Sequence, residues 1–440
     1  MEVLIQISQL ILALTILVFI HELGHFFAAR AFGVKVEKFY IFFDAWGKKL
    51  WSFKKGDTEY GIGWLPLGGY VKIAGMIDES MDKDQMKQPA QSWELRSKPN
   101  WQKFIVMIGG IVMNVILGII LYIFILRNYA GEYIPVQTIN DSGGIYAASA
   151  GRAYGFQTGD KLVSINGHHY NRLDDYMSAR LYFGSDVVVD RNGQQITIAV
   201  PDSAFRDKMR GDVLFDIRSS VQVHALSDSL TLAKNAGVQP GDVIAMIDSI
   251  PITCYSQMSE MFTARKGDTA HVTMQRGDQL VTLHVPVDAT GRIGIEANVE
   301  LYDYDSETYS LGKALSYGTR DAFEVFYFQA VSLLRIMRGD IPARDSISSP
   351  IGITKLFAPE WDWSSFWMLT ALLSMVLAFM NLLPIPALDG GHIMFIGIES
   401  IIGRKLSDKF MERAQVVGMV LLLSLMVFAV GNDIFKMIGQ

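Results

Sequence analysis

Two histidines and a glutamate that could hold and use a metal ion occur together in His21-Glu22-Leu23-Gly24-His25. Residues four apart lie on one face of an α-helix, so both imidazoles can reach the same ion. Glu22 then lies beside the position where a water molecule would bind. This His-Glu-x-x-His pattern is typical of zinc hydrolases in which the glutamate is the general base. We therefore predict zinc ligation by His21 and His25 and catalysis by Glu22.

The third ligand is predicted to be Asp389, because a catalytic zinc site keeps three protein ligands and an open position for water. Pro384 and Pro386 break a helix just before this acid, and two glycines follow it. Irregular backbone at membrane depth is tolerated only where protein or a water-filled cavity satisfies it. A buried acid beside such backbone is hard to explain without a cation. His392 is a rival ligand and Glu399 a weaker one.

The element that must carry the first two ligands is strongly apolar, since residues 3–20 contain no Lys, Arg, Asp or Glu. Ligating and charged groups at such depth are costly and are therefore functional candidates. The first charged residue is Glu2, which is acidic, and no small-residue cleavage site follows the apolar run. We expect residues 1–31 to be a retained transmembrane helix and not a cleaved signal peptide.

Three further apolar segments are long enough to cross a bilayer, which takes about 20 residues. They are predicted at 104–127, at 366–390 with the Asn-Leu-Leu-Pro-Ile-Pro-Ala-Leu-Asp-Gly motif, and at 416–437. The connections 32–103 and 391–415 are rich in lysine or arginine, so the positive-inside rule places them in the cytoplasm. The histidines late in the first helix and Asp389 late in the third then reach similar depths near the cytoplasmic leaflet.

The long segment between the second and third spans contains an internal repeat. Residues 155–160 read Gly-Phe-Gln-Thr-Gly-Asp and residues 237–242 read Gly-Val-Gln-Pro-Gly-Asp, and each is followed by an apolar strand pattern. The repeat resembles the core of PDZ domains of the bacterial protease type. We predict two tandem, extracytoplasmic PDZ-like modules of mixed β/α structure at 128–222 and 223–303. The second has Ser249 where glycine is usual.

Segment 304–365 leads from these modules to the third span. Between Leu311 and Met337 apolar residues recur at helical spacing, while Lys313, Arg320 and Glu324 prevent a clean membrane span. We expect an amphipathic helix on the outer membrane surface. The alternative is a soluble helix packed on the PDZ pair.

A transmembrane substrate must be held extended to be cut, because a helix shields its own peptide bonds. The stretch Glu59–Gly75 is rich in glycine and predicts a membrane-associated β-hairpin whose free edge could pair with substrate by strand addition. The alternative is an ordinary interfacial hairpin anchored by Trp64 and Tyr70. Asn381 could hydrogen-bond the substrate backbone, or it could cap the broken helix, and the sequence does not separate these roles.

The composition fits a polytopic α-helical membrane protein with soluble modules. Of 440 residues, 50% are hydrophobic and 19% are charged. The net charge is −6 and no basic cluster occurs, so the sequence gives no reason to expect nucleic acid as a partner. One cysteine, Cys254, excludes an internal disulfide framework and a cysteine-rich metal site, and we expect it to be a buried thiol.

Four motifs together resemble the site-2 protease family of intramembrane zinc metalloproteases, in its bacterial regulator-of-sigma-E type with two PDZ domains. They are HELGH at 21–25, GIGWLPLGGYVK at 61–72, NLLPIPALDGGH at 381–392 and the repeat between them. Ser349-Pro350-Ile351-Gly352-Ile353 also resembles the family's short motif before the third span, with Ser349 where glycine is common. The resemblance covers essentially the whole chain.

The resemblance implies a Zn2+ cofactor held by His21, His25 and Asp389, with Glu22 catalytic. It further implies substrate-binding roles for seven residues in two places: Asn381, Pro384 and Pro386 near the acid, and Gly61, Gly63, Gly68 and Gly69 in the hairpin, which would clamp the substrate strand. Members of this family lie in the bacterial inner membrane, with periplasmic PDZ domains and the active site near the cytoplasmic leaflet. Their PDZ pair would act as a filter that excludes bulky exterior domains.

The implied partners are the lipid bilayer and single-pass transmembrane proteins already trimmed by another protease, such as anti-sigma factors and remnant signal peptides. Two other functions remain open from the residues alone. One is a zinc-binding PDZ scaffold without protease activity, which the presence of Glu22 disfavours because zinc binding does not need it. The other is a transporter with broken helices, which the lack of a second intramembrane repeat disfavours.

Overall fold

The computed structural model describes residues 2–65, 68–76, 89–129, 132–299, 305–306, 309–340, 342 and 349–438. The chain divides into two compact units. The first, which we call the helical unit, combines Met1–Ala130 with Thr308–Gln440. The second, the β-rich unit, is Gly131–Glu307.

The α-helices of the described residues are, in chain order, α1 (Glu2–Ala31), α2 (Asn100–Asn128), α3 (Val136–Asp141), α4 (Ser149–Tyr154), α5 (Leu173–Met177), α6 (Phe205–Arg210), α7 (Leu232–Asn235), α8 (Tyr255–Ala264), α9 (Leu311–Arg338), α10 (Pro350–Thr354), α11 (Trp363–Leu382), α12 (Asp389–Ile402) and α13 (Asp408–Ile438). Short 3-10 turns lie at Ala45–Gly47, Leu95–Ser97, Ala179–Tyr182 and Asp202–Ala204.

The strands are β1 (Val36–Tyr40), β2 (Lys49–Lys55), β3 (Thr58–Gly63), β4 (Tyr70–Ile73), β5 (Glu132–Tyr133), β6 (Tyr146–Ala147), β7 (Lys161–Ile165), β8 (Ser185–Arg191), β9 (Gln194–Val200), β10 (Phe215–Asp216), β11 (Val221–Leu226), β12 (Val243–Ile247), β13 (Ile250–Pro251), β14 (Thr269–Arg276), β15 (Gln279–Pro286), β16 (Ile295–Val299) and β17 (Asp305–Ser306).

Four helices of the described chain are long and apolar enough to cross a membrane: α1, α2, α11 and, in α13, Lys409–Phe435. Their interiors carry so few charged side chains that lipid can surround them. The prediction of four spans is therefore confirmed by length and composition.

The third span is shorter than predicted, and the prediction that it continues to 390 is wrong. Helix α11 ends at Leu382, and Leu383 is already extended at φ −61° and ψ 142°. Pro384 follows directly, and the residue before a proline is driven out of the helical region. The predicted loop at 391–415 is also wrong in part, because α12 continues through it to Ile402 and α13 begins at Asp408.

The Gly-rich stretch does not form the predicted hairpin. The sheet order is β2-β3-β1-β4, so β1 lies between the two strands of that stretch. Strand β3 runs parallel to β1, and β4 runs antiparallel to β1. The hairpin that does form joins β2 to β3. Pro66 and Leu67 of the predicted hairpin lie outside the described residues.

Helix α9 has the predicted amphipathic character and belongs to the helical unit. Its small residues pack on α2, where Ala314 contacts Leu126 and where a Cβ at Gly318 would touch the backbone of Ile123. Farther along, Phe326 meets Phe379 of α11 with ring centroids 5.4 Å apart. Small residues of α9 and Phe326 thus pack against two membrane helices, while Leu311, Leu315 and Met337 are exposed. Residues 304, 307–308, 341 and 343–348 of the predicted segment 304–365 lie outside the described residues.

The β-rich unit contains two main sheets, one ordered β7-β8-β9 and the other β15-β14-β12-β11-β16. The two repeat turns precede β7 and β12, respectively, and have the same internal contacts. Asp160 is held by Arg191 and Asp242 by Arg276, each with a shortest nitrogen–oxygen distance of 2.7 Å. In both turns the backbone N–H three residues earlier donates to the carboxylate at 2.9 Å. The repeat is structural, while the assignment of two PDZ domains stays a prediction.

The single cysteine lies in the same unit. Cys254 is fully buried and packs with Tyr146 and Ala148, and its Sγ accepts the backbone N–H of Gln257 at the start of α8. The expectation of a buried thiol is confirmed.

Candidate metal centre

Helix α1 presents His21 and His25 on its inner face, where both are buried. The face is closed by α2, which approaches so closely that a Cβ at Gly24 would clash with the carbonyl oxygen of Gly109. A Cβ at Gly110 would lie 2.5 Å from Nε2 of His25 and 2.6 Å from Cε1 of His21. The glycines at this crossing therefore leave the space that the two imidazoles fill.

Asp389 reaches the histidines because it is the first residue of α12. The turn before it folds back tightly: a Cβ at Gly390 would clash with the carbonyl oxygen of Leu383, and Ala387 has a positive φ of 85°. A carboxylate in the first turn of a helix also faces the positive end of the helix dipole. The break in the chain thus re-aims the acid and places it at a helix N-terminus.

Three side-chain atoms from α1 and α12 form a nearly equilateral triangle. Nε2 of His21 lies 3.1 Å from Oδ2 of Asp389, Nε2 of His25 lies 3.2 Å from the same oxygen, and the two nitrogens are 3.2 Å apart. Three ligands at about 2.0–2.1 Å from a tetrahedral zinc ion lie about 3.3 Å from one another. The spacing of the donors therefore fits a zinc ion.

The hydrogen bonds of the cluster are also compatible with a cation. The carbonyl of Val106 accepts Nδ1–H of His25 at 2.8 Å, so a neutral His25 has a bare Nε2 that faces Asp389. Oδ2 of Asp389 is buried and accepts no well-aligned hydrogen bond from any described residue. Two electron-pair donors that face each other repel unless a proton or a metal ion lies between them. Within the described chain, these three residues form the one group with metal-ligand spacing.

A cavity of about 500 Å³ opens beside this cluster and is lined by Glu22, His21, His25 and Asp389. Strand β4 forms part of its wall, and the backbone N–H of Val71 interacts with the carboxylate of Glu22. The cavity therefore brings together a donor triangle, an acid and a strand edge. Such a set can activate water and present an extended peptide to it.

Three other candidate residues, Asn381, His392 and Glu399, differ in their contacts. Nδ2 of Asn381, near the end of α11, lies 3.4 Å from Nε2 of His21, so this side chain borders the donor triangle. His392 lines the cavity but does not belong to the donor group. Glu399 lies 3.8 Å from Lys103 and accepts the backbone N–H of Leu406 at 3.0 Å.

Pro384 and Pro386 shape the turn between α11 and α12. Helix α13 packs on this turn so closely that a Cβ at Gly418 would clash with the carbonyl oxygen of Pro386. Their direct contact with a substrate stays a prediction.

The four predicted substrate-binding glycines do not share one position. Gly69 lines the cavity, and a Cβ there would lie 2.5 Å from the carbonyl oxygen of Tyr40. Gly61 and Gly63 lie on β3, which is paired on both sides, and a Cβ at Gly61 would meet the ring of Tyr40. Gly68 has a positive φ of 144°. Of the described sheet, the edge at the cavity belongs to β4.

A polar network stiffens the sheet at the mouth of the cavity. Lys38 and Tyr70 both donate to the carboxylate of Asp44 at 2.8 Å. Burial raises the pKa of Asp44, but these two hydrogen bonds outweigh it and hold that pKa below its ordinary value. Burial and the hydrogen bond to Asp44 raise the pKa of Tyr70, so the phenol stays protonated. The network keeps β4 in place next to Glu22.

Sequence reasoning missed two residues of α2 that contact the histidines, Gly110 and Asn114. Nδ2 of Asn114 lies 3.1 Å from Nδ1 of His21. A signal was present, because Asn114 is the one polar side chain between residues 104 and 121. A lone polar residue in a membrane span is a functional candidate by default.

Comparison with known proteins gives one family for nearly the whole chain. The model of Peptidase family M50 matches residues 9–425. The regulator of sigma-E protease RseP of Escherichia coli is 28% identical over 467 residues, an alignment that covers 98% of this chain and 99% of the relative.

Two further relatives align along their full lengths. A protein of Vibrio cholerae named as a candidate zinc metalloprotease is 27% identical over 470 residues, with 99% of this chain and 100% of the relative covered. Metalloprotease MmpA of Caulobacter vibrioides is 27% identical over 475 residues, with 99% of this chain and 98% of the relative covered.

Proposed function

The chain belongs to Peptidase family M50, the site-2 proteases, and is a membrane metalloprotease, and from this premise we propose that it cuts transmembrane segments with a zinc ion held by His21, His25 and Asp389. The observation that carries the proposal is the donor triangle with sides of 3.1–3.2 Å beside Glu22. Its ligands come from α1, a helix apolar enough to span a membrane, and from α12.

Glu22 is the general base in this proposal. Zinc, when bound, lowers the pKa of a water molecule to about 7 and polarises the peptide carbonyl. The carboxylate of Glu22 takes the proton of the attacking water and delivers it to the nitrogen of the leaving amide. Burial of the cluster among α1, α2 and α12 limits the water that reaches the site and keeps the groups in register.

The edge of β4 would hold the substrate extended. Strand β4 pairs with β1 on one side, lines the cavity with the other, and approaches Glu22 at Val71. An unwound substrate segment added to this edge gains backbone hydrogen bonds and passes the catalytic carboxylate. Asn381, which borders the donor triangle, would donate a hydrogen bond to the substrate backbone from the other side.

The substrates proposed are single-pass membrane proteins trimmed by another protease, such as anti-sigma factors or remnant signal peptides. The β-rich unit would lie in the periplasm as a PDZ pair that excludes bulky domains, with the lysine-rich connection between α1 and α2 in the cytoplasm of a bacterial cell. Single cysteines at Lys54 and Lys161, in a Cys254→Ser background, would test this orientation in intact cells with a membrane-impermeant thiol reagent. Labelling at 161 alone is expected, and labelling at 54 alone would reverse the orientation.

Replacement Glu22→Gln tests the proteolytic function. The amide cannot take the water proton, so we expect cleavage of a truncated single-pass substrate in liposomes to fall by about 10²–10⁴-fold, while bound zinc stays stoichiometric. Glu296→Gln, an exposed change in the β-rich unit, serves as the matched control. Unchanged cleavage by the Glu22 variant would exclude Glu22 as the general base, and a wild type that binds zinc but does not cleave would leave the zinc-binding scaffold as the function.

Strand addition at β4 is tested by cross-linking. In the Cys254→Ser background, a cysteine at Lys72 is paired with single cysteines along the substrate. Because side chains of a strand alternate between two faces, we expect disulfide yield to vary with a period of two residues. A period between three and four would show that the substrate stays helical and would exclude strand addition.

A further inference from the structure

Asn114 lies in the middle of α2 and has no solvent exposure (0%). Its Oδ1 atom has no hydrogen-bond partner among the residues that the structure describes. A buried amide with an unpartnered polar atom costs free energy, and an apolar residue of similar size would pack at lower cost. Helix packing alone therefore does not explain an asparagine here.

The side chain of Asn114 contacts a proposed zinc ligand. Its amide lies 3.1 Å from Nδ1 of His21, on the ring edge opposite the nitrogen that faces Asp389. The hydroxyl of Ser374 on α11 donates to the main-chain carbonyl of Asn114 at 2.7 Å. Three membrane helices thus meet at this asparagine, and its side chain is aimed at the metal centre.

The other histidine has the same arrangement with a different acceptor. Nδ1 of His25 is bonded to the main-chain carbonyl of Val106 at 2.8 Å. Val106, Gly110 and Asn114 are four residues apart in turn, so they lie on one face of α2. This face leaves room for the imidazoles at Gly110 and supplies a contact to each Nδ1.

The identity of the amide atom that faces His21 decides the chemistry. The two orientations of an asparagine amide have the same shape and differ only in which atom faces the ring. If Oδ1 faces the ring, it accepts Nδ1–H and leaves Nε2 with a lone pair directed at His25 and Asp389. If Nδ2 faces the ring, Nε2 carries the proton and cannot bind a metal ion.

We propose that Asn114 is a positioning residue whose Oδ1 accepts Nδ1–H of His21 and holds Nε2 in the metal-binding form. The inference rests on the proposed function, because it concerns a ligand of the same zinc site. Groups that orient a metal-bound histidine in this way raise metal affinity, and their loss costs about 10–100-fold. Zinc affinity, measured without substrate, is therefore the direct readout.

The experiment compares three full-length variants by competition between the protein and a zinc chelator. Asn114→Leu removes the acceptor at similar volume, and Asn114→Asp keeps an acceptor oxygen. Gln9→Leu is the matched control, because Gln9 is also fully buried in a span with one unpartnered oxygen but bonds Ala358. We expect about 10–100-fold weaker zinc binding in Asn114→Leu and changes within about threefold in the other two.

Cobalt substitution adds a spectroscopic signature. The visible absorption of Co2+ reports ligand geometry, so we expect it to change in Asn114→Leu and to match the wild type in Gln9→Leu. Equal zinc affinity of Asn114→Leu and wild type, or equal losses in Asn114→Leu and Gln9→Leu, would overturn the positioning role while the zinc protease stands. A wild-type protein that binds no zinc would overturn both proposals.

A measurement on the wild type decides the question if Asn114→Leu fails to fold. The 15N spectrum of metal-free, histidine-labelled protein reports which ring nitrogen carries the proton, with His21 assigned by its loss in His21→Phe. We expect protonated Nδ1 and bare Nε2 at His21. Protonated Nε2 as the main form would overturn the inference.

Discussion

Aspartates with buried carboxylate oxygens occur in both units, and their surroundings differ. In the β-rich unit, Asp160 and Asp242 each receive two hydrogen bonds of 2.7–2.8 Å from one arginine and one from a backbone N–H. In the helical unit, the nearest described side-chain neighbours of Asp389 Oδ2 are two imidazole nitrogens, one of which is bare in neutral His25. The first two acids have permanently charged partners within the chain, whereas the neighbours of Asp389 Oδ2 are imidazole nitrogens that could hold a metal ion with it.

This difference distinguishes the two structural acids from the proposed metal ligand. A buried carboxylate is tolerated when a positive partner and hydrogen bonds satisfy it. Asp160 and Asp242 meet this condition and tie a repeat turn to a strand. Asp389 has no permanently charged partner beside Oδ2 among the described side chains, which fits its proposed role as a metal ligand. Burial alone would have ranked the two structural acids above the functional one.

The largest effect is expected from Asp389→Asn. The amide removes a ligand and its charge, so bound zinc should fall to background and cleavage should stop. Asp242→Asn is the matched change in the β-rich unit and should leave zinc stoichiometric. Metal analysis of both purified variants tests the contrast. Full zinc occupancy in Asp389→Asn would remove the distinction drawn here.

Loss of an arginine that pairs with a repeat-turn aspartate should have the next largest effect. Arg191→Met leaves the fully buried Asp160 without its positive partner, and removal of one member of a buried pair costs about 3 kcal/mol. Lys234→Met, which breaks the exposed pair with Asp228, should cost less than about 1 kcal/mol. Hydrogen exchange of β-rich-unit peptides in the full-length protein, followed against urea, measures both. Equal losses of stability in the two variants would show that the Arg191–Asp160 pair is no stronger than a surface pair.

Low pH should weaken the ion pair between Asp242 and Arg276. Burial raises the pKa of Asp242, but hydrogen bonds from Arg276 and the Gln239 backbone outweigh it and hold the pKa below its ordinary value of 3.8. Because the folded pKa lies below the unfolded one, the stabilisation is complete above about pH 4 and is lost as pH falls through the folded pKa.

Hydrogen exchange protection of residues 237–243, corrected for the intrinsic rate, should therefore decrease between pH 5 and pH 3 more in the wild type than in Asp242→Asn. The variant has no group to titrate at this position and therefore serves as the control for the wild type. A pH response of equal size in both proteins would assign the acid sensitivity to other groups.

The smallest effect is expected at a buried acid that accepts from neutral donors. Asp433 of α13 accepts Ser349 Oγ at 2.6 Å and the backbone N–H groups of Ser349 and Gly352 at 2.8 and 3.2 Å. Ser349 also caps α10. Ser349→Ala should cost about 1 kcal/mol of local stability, seen as faster exchange at 350–354. Thr354→Ala, at the other end of α10, is the control, and equal effects would mean that the cap contributes nothing.

The sequence predicted the spans well because apolar length is a local property, and α1 and α2 fall close to their predicted bounds. It failed at the third span, where Pro384 ends the helix and Asp389 begins another. The prediction also failed in the sheet, because β1 lies outside the Gly-rich stretch and yet separates β3 from β4. Strand order depends on pairing between distant segments, which no local pattern encodes.

The site divides in the same way. Spacing on one helix determined that His21, Glu22 and His25 lie close together, because the pitch of an α-helix fixes their relative positions from the sequence alone. Only the tertiary structure decided that Asp389 completes the triangle and that Asn114 stands behind His21. Those contacts join residues about 90 to 370 positions apart, and the packing of helices, with glycines at their crossings, brings them within hydrogen-bond distance.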